Sequence, residues 1–146
     1  MRKLLVLIFL LSLTDANAVL ITYTESFTRL VNNHRISKGL RPLSFETTLN
    51  SIARTHSYNM AYKKVSFGHA GFSARCDAGF DYLGSGSRCA ENVAYGQSTP
   101  RTVFDAWLRS SGHRANIENP SYTHTGLGYK KSATGVFYWT QLFFKK

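Results

Sequence analysis

Three titratable side chains stand out because each lies in a glycine-flanked or turn-like segment between more regular stretches. They are His69, Glu91 and His113. Functional side chains concentrate in such connecting segments. Two imidazoles and a carboxylate could hold a zinc ion with an open water position, or act as an acid and base pair. In the structural alternative, Glu91 caps backbone amides and the histidines form hydrogen bonds near turns, and nothing in the spacing excludes it.

The familiar local catalytic signatures do not occur in the sequence. It contains no His-Glu-x-x-His, no Cys-x-x-Cys and no Gly-x-Ser-x-Gly, so no nucleophile can be named. His34 and His56 fall on predicted helix faces with apolar neighbours, and we interpret them as core or boundary residues rather than ligands. His124 stands at the start of a predicted hairpin, and its role stays open.

Three helices are predicted from the periodicity of apolar residues and from their flanking residues. The first covers residues 22–38 and precedes a glycine. The second is expected to begin with Ser44 as its N-cap and to end near Lys63-Lys64, whose charges suit a helix C-terminus. The third is expected to start with Ser98 or Thr99 and to run to about Ser111, with Pro100 in its first turn and Gly112 closing it.

The C-terminal part has the composition of a β-hairpin, with strands predicted at Leu127–Tyr129 and Val136–Phe144. Both alternating sets of the last strand are largely apolar, which indicates a strand covered on both faces. The expected fold is therefore α+β, with a sheet between helical layers. The segment with Phe72, Phe80 and Tyr82 is interpreted as a loop that could contact a ligand.

The N-terminus has the features of a signal peptide. A cationic start precedes the apolar run Leu4–Leu13, and Ala16-Asn17-Ala18 supplies small residues at the cleavage site. We expect cleavage after Ala18, leaving one domain over residues 19–146. An uncleaved anchor is the weaker alternative, because a span needs roughly 20 apolar residues. The mature protein is expected not to be transmembrane but secreted, either extracellular or, in a Gram-negative source, periplasmic.

Two cysteines, Cys76 and Cys89, lie thirteen positions apart in a segment rich in glycine and serine. Because an exported chain meets oxidising conditions, we predict a disulfide between them. Closing such a loop stabilises a fold by on the order of 3 kcal/mol in the loop-entropy model. Two free thiols are the alternative, since sequence cannot test the geometry. A metal pair is disfavoured by the spacing.

The chain is strongly basic. Its formal net charge is +10, and removal of Arg2, Lys3 and Asp15 with the signal peptide lowers it to +9. Such a charge favours anionic surfaces in general. The paired lysines are isolated along the sequence, and export also argues against a nucleic-acid partner.

Several short motifs together resemble one family of secreted proteins in their order and spacing. They cover essentially the whole mature chain and are Asn33-His34-Arg35, Leu49-x-x-Ile52-Ala53-x-x-His56-Ser57, the His69 segment, Glu91-Asn92-Val93-Ala94-Tyr95-Gly96, Trp107 followed by Gly112-His113-Arg114-x-Asn116-Ile117, Gly126-Leu127-Gly128-Tyr129 and Tyr138-Trp139-Thr140-Gln141. The sequence resembles the cysteine-rich secretory protein, antigen 5 and pathogenesis-related 1 family, the CAP or SCP domain proteins, and most of all their short microbial type.

The resemblance implies a three-layer α-β-α sandwich in which His69, Glu91 and His113 converge in a central cleft. In animal and plant members a second glutamate, three residues after the tryptophan, completes a set of two histidines and two acids. Ser110 stands at that position here. This departure weakens the inference of tight metal binding, and it is compatible with a labile Zn2+ carrying water or with no metal.

Three functions follow as hypotheses. The first is a non-enzymatic binding module that takes a lipid, a sterol or another small or anionic ligand in the cleft. The second is a metal-assisted hydrolase of peptides or wall glycans, with Glu91 or a histidine as general base; as a glycosidase it would have only Asp77 or Asp81 as a second carboxylate. The third is a cationic protein that holds an anionic envelope or wall polymer, or interacts with a host.

Overall fold

Residues 23–146, the part of the chain that the computed structural model describes, contain five helices and four strands. The first helix, α1, covers residues 23–37. The following elements are β1 (Ser44–Phe45), α2 (Thr47–Ala61), α3 (Phe72–Leu83), β2 (Arg88–Tyr95), α4 (Pro100–Arg109), α5 (Ser111–Ile117), β3 (His124–Lys131) and β4 (Phe137–Lys145). The predicted signal peptide, residues 1–18, lies outside the described residues.

The four strands form one sheet in the order β1-β3-β4-β2. β1 pairs in parallel with β3, while β3 with β4 and β4 with β2 are antiparallel. The β3–β4 pair confirms the predicted hairpin. β2 lies at the edge of the sheet, where Glu91 pairs with Leu142 and Cys89 pairs with Phe144. Directly paired residues share one face of a sheet, so these four side chains lie on the same side.

Helices cover both faces of the sheet. On one face the fully buried Trp139 and Phe143 pack with side chains of α1, α4 and α5, and on the other Leu142 and Phe144 pack with α2 and α3. β4 alternates between these two layers residue by residue, as a strand must. The two apolar faces predicted for the last strand therefore belong to β4, which lies inside the sheet. The predicted α+β three-layer sandwich is confirmed.

Two glycines let α2 lie directly on β3. A Cβ at Gly126 would overlap the backbone of Leu49, and a Cβ at Gly128 would overlap the backbone of Ala53 and Arg54. No rotamer change can relieve an overlap with backbone. The Gly-Leu-Gly stretch therefore sets the distance between this helix and the sheet.

A buried arginine fastens α1 to the segment between α5 and β3. Arg35 is fully buried, and its guanidinium donates hydrogen bonds to the carbonyl oxygens of Ile117 at 2.7 Å, Asn119 at 3.0 Å and Tyr122 at 3.4 Å. Its Nε donates to Arg41 O at 2.8 Å. Burial lowers the pKa of Arg35 from its ordinary value. Carbonyl dipoles thus replace the water that this cation loses.

Two predicted helix boundaries are wrong. α2 begins at Thr47 and ends at Ala61, because Ser44 instead belongs to β1 and pairs with His124. The third predicted helix is two helices, since the extended backbone of Ser110 separates α4 from α5 and places Gly112 inside α5. The predicted start of α4 is confirmed, and of the two candidate caps the structure uses Thr99, which accepts a hydrogen bond from the Thr102 amide at 3.1 Å.

α3 and β2 were not predicted from the sequence. Phe72, Phe80 and Tyr82 lie on α3 and not in a loop. Gly71 and Gly84, both with left-handed backbone, bracket this helix, and glycine adopts that conformation without strain.

Within residues 23–146, no helix is both long and apolar enough to cross a membrane.

Candidate functional site

Glu91 is a buried carboxylate on the edge strand β2. Its side chain is only 1% exposed, on the face of the sheet that α3 covers. The predicted turn-like setting of Glu91 is wrong, because its segment is a strand that pairs with β4 along its whole length. A buried carboxylate needs a counter-charge and hydrogen-bond donors.

Arg75 of α3 supplies both. Its Nε lies 2.6 Å from Glu91 Oε2, and its Nη2 lies 2.8 Å from Glu91 Oε1. Nη1 also donates to Ala70 O at 2.7 Å, and Nη2 donates to His69 O at 3.4 Å. The guanidinium therefore holds both carboxylate oxygens and the loop before α3. Such two-point ion pairs fix geometry as well as charge.

A disulfide positions this ion pair. Cys76, next to Arg75, is bonded to Cys89, which lies two residues before Glu91 on the same face of β2. The two Cα atoms are 5.9 Å apart. The predicted disulfide is confirmed, and it joins α3 to β2 at the point where their charged side chains meet.

His69 is the exposed member of the group. Its Nδ1 lies 2.8 Å from Glu91 Oε1, while 53% of its side chain is exposed. An ionised carboxylate can only accept hydrogen bonds, so Nδ1 carries the proton. Nε2 makes no hydrogen bond to any of residues 23–146 and is available to a ligand. Glu91 thus fixes both the tautomer and the orientation of the His69 ring.

A second histidine, His56, forms a hydrogen bond with the loop that precedes α3. His56 of α2 is 2% exposed, and its Nε2 lies 2.8 Å from Gly68 O. Burial lowers the pKa of His56, although its hydrogen bond to Gly68 opposes the shift. The neutral ring therefore donates to the carbonyl and holds the residue preceding His69. The interpretation of His56 as a core histidine is confirmed.

His113 is not hydrogen-bonded to this group. It lies half-buried on α5, not in a turn, and Asn92 of β2 holds this helix by donating to His113 O at 3.1 Å. Burial lowers the pKa of His113, and the nearby charge of His69 lowers it further. The ring makes no hydrogen bond to His69 or Glu91. Of the three predicted site residues, His69 and Glu91 are therefore hydrogen-bonded to each other, whereas His113 is bonded to neither.

The remaining candidate residues lie elsewhere. Asp77 and Asp81 are exposed on α3 and form no ion pair with any described residue. His34 lies at the boundary of the core, as predicted from its position on a helix face. Its Nε2 lies 2.7 Å from Glu118 Oε1. His124 Nδ1 lies 2.8 Å from Thr123 Oγ1, at the start of β3.

A shallow depression of about 270 Å³ lies beside the buried ion pair. It is lined by His69, Phe72, Cys89, Ala90 and Glu91. Its walls are mostly apolar, and His69 is its exposed polar group. The depression could therefore hold a small apolar body whose polar end meets the imidazole.

The observed arrangement does not fit a metal ion. No group of three His, Cys, Asp or Glu side chains within residues 23–146 is placed to hold one. The Arg75 guanidinium holds both oxygens of Glu91, and a metal on that carboxylate would meet this cation. The metal site at His69, Glu91 and His113 stays a prediction without support from this geometry. Arg75 was not identified from the sequence, where its one signal is its position beside Cys76.

Solved structures share this fold. An extracellular SCP-domain protein of Bacillus anthracis str. Ames aligns with a TM-score of 0.70 and 24% identity, over 86% of this chain and 41% of that one. A cysteine-rich secretory protein of Staphylococcus aureus Mu50 aligns with a TM-score of 0.69 and 24% identity, over 86% and 38%. An outer surface protein of Borrelia burgdorferi aligns with a TM-score of 0.67 and 21% identity, over 88% and 92%. At these identities the likeness establishes the fold alone.

Two proteins of Bacillus subtilis strain 168 are related in sequence. YkwD is 37% identical over 139 residues, and the membrane protein YlbC is 30% identical over 122 residues. The matches cover 91% and 80% of this chain, but only 51% of YkwD and 33% of YlbC. This chain thus spans about half of one relative and a third of the other. The model of the cysteine-rich secretory protein family matches residues 28–143. The chain therefore belongs to the cysteine-rich secretory protein, or CAP, family.

Proposed function

We propose that this CAP protein is exported and acts as a non-catalytic binding module, which holds a lipid or another small ligand in the depression beside His69. Export is supported by the predicted signal peptide. It is also supported by the extracellular and outer-surface proteins that share the fold. The observation that carries the binding role is the two-point ion pair between Arg75 and Glu91.

This ion pair makes Glu91 a support and not a reacting group. A general base must reach the proton that it abstracts, directly or through one water. Both Glu91 oxygens instead accept hydrogen bonds from Arg75, and the side chain is almost wholly buried. The carboxylate therefore orients His69 and leaves the imidazole edge as the contact point for a ligand.

The surroundings of His69 favour an amphipathic ligand. Phe72, Ala90 and the disulfide form an apolar wall. Nε2 accepts a hydrogen bond from a ligand hydroxyl when the ring is neutral, and donates one to a carboxylate when the ring is protonated. A fatty acid or a sterol hydroxyl matches this combination of one polar contact with an apolar wall.

The hydrolase alternative has less support. One protein of the same fold, NaASP2, has been solved with Zn2+, and it is 12% identical to this chain. In this chain Arg75 is bound to Glu91, the carboxylate that would be a metal ligand. Ser110 occupies the position of the second glutamate. A metal-activated water therefore lacks the ligand set, and Glu91 is not free to act as its base.

A fluorescence titration with cis-parinaric acid, a naturally fluorescent fatty acid, tests the proposal. At a pH where the His69 ring is protonated, removing the polar contact to the fatty-acid carboxylate by His69→Ala should weaken binding by about tenfold, since a lost charge-assisted hydrogen bond costs on the order of 1.5 kcal/mol. The matched control His124→Ala removes another histidine outside the depression and should leave affinity within about twofold. No saturable binding, or equal weakening by both variants, would refute the proposed site.

A further inference from the structure

A second and larger concavity lies between α2 and the β3–β4 hairpin. This basic groove has a volume of about 560 Å³ and is lined by Arg54, Thr55, Tyr58, Tyr129, Lys130, Lys131 and Phe137. It is about twice the volume of the depression beside His69, with which it shares no lining residue. Aromatic rings and cationic side chains thus line the same surface.

The cations lie over the aromatic rings. Lys64 Nζ is 4.7 Å from the centre of the Tyr58 ring, and Lys130 Nζ is 5.8 Å from the same ring. Lys130 is also 5.7 Å from the Tyr62 ring, and Lys131 is 5.5 Å from the Phe137 ring. Cation–π contacts hold these ammonium groups at the groove without neutralising them.

Within the part of the chain that the structure describes, no carboxylate that lines the basic groove itself balances this charge. Among residues 23–146, the ion pairs involve none of Arg54, Lys64, Lys130 and Lys131, and no acidic side chain lines the groove. These neighbouring positive charges repel one another. An anionic ligand in the groove would relieve that repulsion, and the potential of the patch would attract it from a distance.

The groove continues into a section rich in hydroxyl groups. A neighbouring concavity of about 380 Å³ shares Arg54 and Tyr129 with the basic groove. Most of its exposed lining surface is apolar, but several hydroxyl groups contribute to it, and the carboxylate among its residues, Glu25, is paired with Arg29. Its further lining residues are Thr24, Glu25, Thr28, Thr47, Asn50, Ser51, Leu127 and Gly128. Thr28 and Ser51 donate their hydroxyl protons to backbone carbonyls at 2.7 and 3.1 Å. Their oxygens therefore remain acceptors for ligand hydroxyl groups.

We infer that the basic groove binds an acidic polysaccharide, with sugar rings against Tyr58 and Tyr129 and acidic groups on Lys64 and Lys130. The faces of sugar rings are apolar and pack on aromatic rings, while their hydroxyls suit the threonine and serine section. A linear polymer fits a concave trough, whereas a membrane would meet a protruding surface. This site goes beyond the ligand depression at His69 and shares no residue with it.

Isothermal titration with an oligogalacturonate, a chain of carboxylate-bearing sugars, tests this inference. The double variant K64Q/K130Q should bind about tenfold more weakly, because it removes two charge contacts. The control K38Q/K145Q removes the same charge from exposed lysines outside the groove and should stay within about threefold. Tyr58→Ala should weaken binding by about fivefold with no change in charge.

Three further probes separate sugar recognition from charge alone. Polyglutamate carries carboxylates without sugar rings and should bind more weakly than the oligogalacturonate, while neutral dextran should not bind measurably. Phosphatidylglycerol vesicles should bind with no dependence on Tyr58, and His69→Ala should leave oligogalacturonate binding unchanged. Equal losses in K64Q/K130Q and K38Q/K145Q, equal affinity for polyglutamate, or a Tyr58-dependent preference for vesicles would overturn the inference.

Discussion

The Arg75 guanidinium lies against both carboxylate oxygens of Glu91, with Nε 2.6 Å from Oε2 and Nη2 2.8 Å from Oε1. The Glu91 side chain is almost completely buried, and the Arg75 side chain is 12% exposed. The buried negative charge of Glu91 is thus paired with the positive charge of Arg75 within the same domain. The same carboxylate binds the His69 ring, which is the exposed member of this cluster.

Removing Arg75 should be strongly destabilising. Arg75→Met leaves the buried Glu91 charge without a partner, which costs about 3–5 kcal/mol of unfolding free energy. Urea denaturation measures this loss. In the control, Arg29→Met breaks an exposed ion pair with Glu25 and should cost less than about 1 kcal/mol. A loss below about 1 kcal/mol for Arg75→Met would show that the ion pair does not anchor the site.

Stability should fall when the pH is lowered through the histidine range. The pKa values of His56 and His113 are lowered in the fold from 6.5, chiefly by burial. The unfolded chain therefore takes up protons first, so unfolding free energy is intact above about pH 7 and decreases as the pH falls below 6.5.

Urea denaturation at about pH 7.5 and 5.5 measures this decrease. His56→Gln keeps a donor for Gly68 O but does not titrate, so it should reduce the pH dependence. An unchanged pH dependence in this variant would contradict the role given to burial of His56.

Gly128 should not tolerate a side chain. In Gly128→Ala the new Cβ meets the backbone of α2, so the helix must move away from β3, and the loss should be about 2 kcal/mol or more. Gly112 is the matched control, because nothing lies within 4 Å of its Cβ position and it lies inside α5. Gly112→Ala should be neutral or stabilise by up to about 1 kcal/mol. Thermal melts that rank the two variants in the opposite order would contradict the packing described here.

Loss of the disulfide should weaken both the fold and the site. Replacing Cys76 and Cys89 with alanine opens a loop with a sequence separation of 13 and should cost about 3 kcal/mol. Because the bond also holds α3 against β2, binding of cis-parinaric acid should weaken in the same variant. Reductant should reproduce both effects in the native protein and change neither in the variant. An affinity that survives reduction would separate the ligand site from the disulfide.

The sequence predicted those elements whose signals are local. The proline and capping threonine mark the start of α4, and the two apolar faces of Val136–Phe144 mark the central strand β4. Ser44 was misassigned because a serine before an apolar periodic run is a good cap in isolation. Its pairing with His124 depends on a strand that comes much later in the chain.

Only part of the site could be predicted from the sequence, because its other contacts also depend on distant parts of the chain. His69 and Glu91 were identified from their types and settings, but α3 and β2 were not, because glycines and polar residues interrupt their patterns. Arg75 becomes the partner of Glu91 only when the fold brings α3 onto β2. His113 was grouped with them from its glycine-flanked setting, and the resemblance placed all three in one cleft, whereas α5 holds His113 without a hydrogen bond to either.

The most direct test of the site is the histidine nitrogen NMR spectrum of labelled protein, recorded at neutral pH before and after one equivalent of Zn2+. With Arg75 as the resident cation, the neutral His69 ring should show its proton on Nδ1, and Zn2+ should leave the His69 and His113 signals unchanged. If Zn2+ shifts both histidines together and the shifts saturate at one ion per chain, the metal site is real and Glu91 serves a metal.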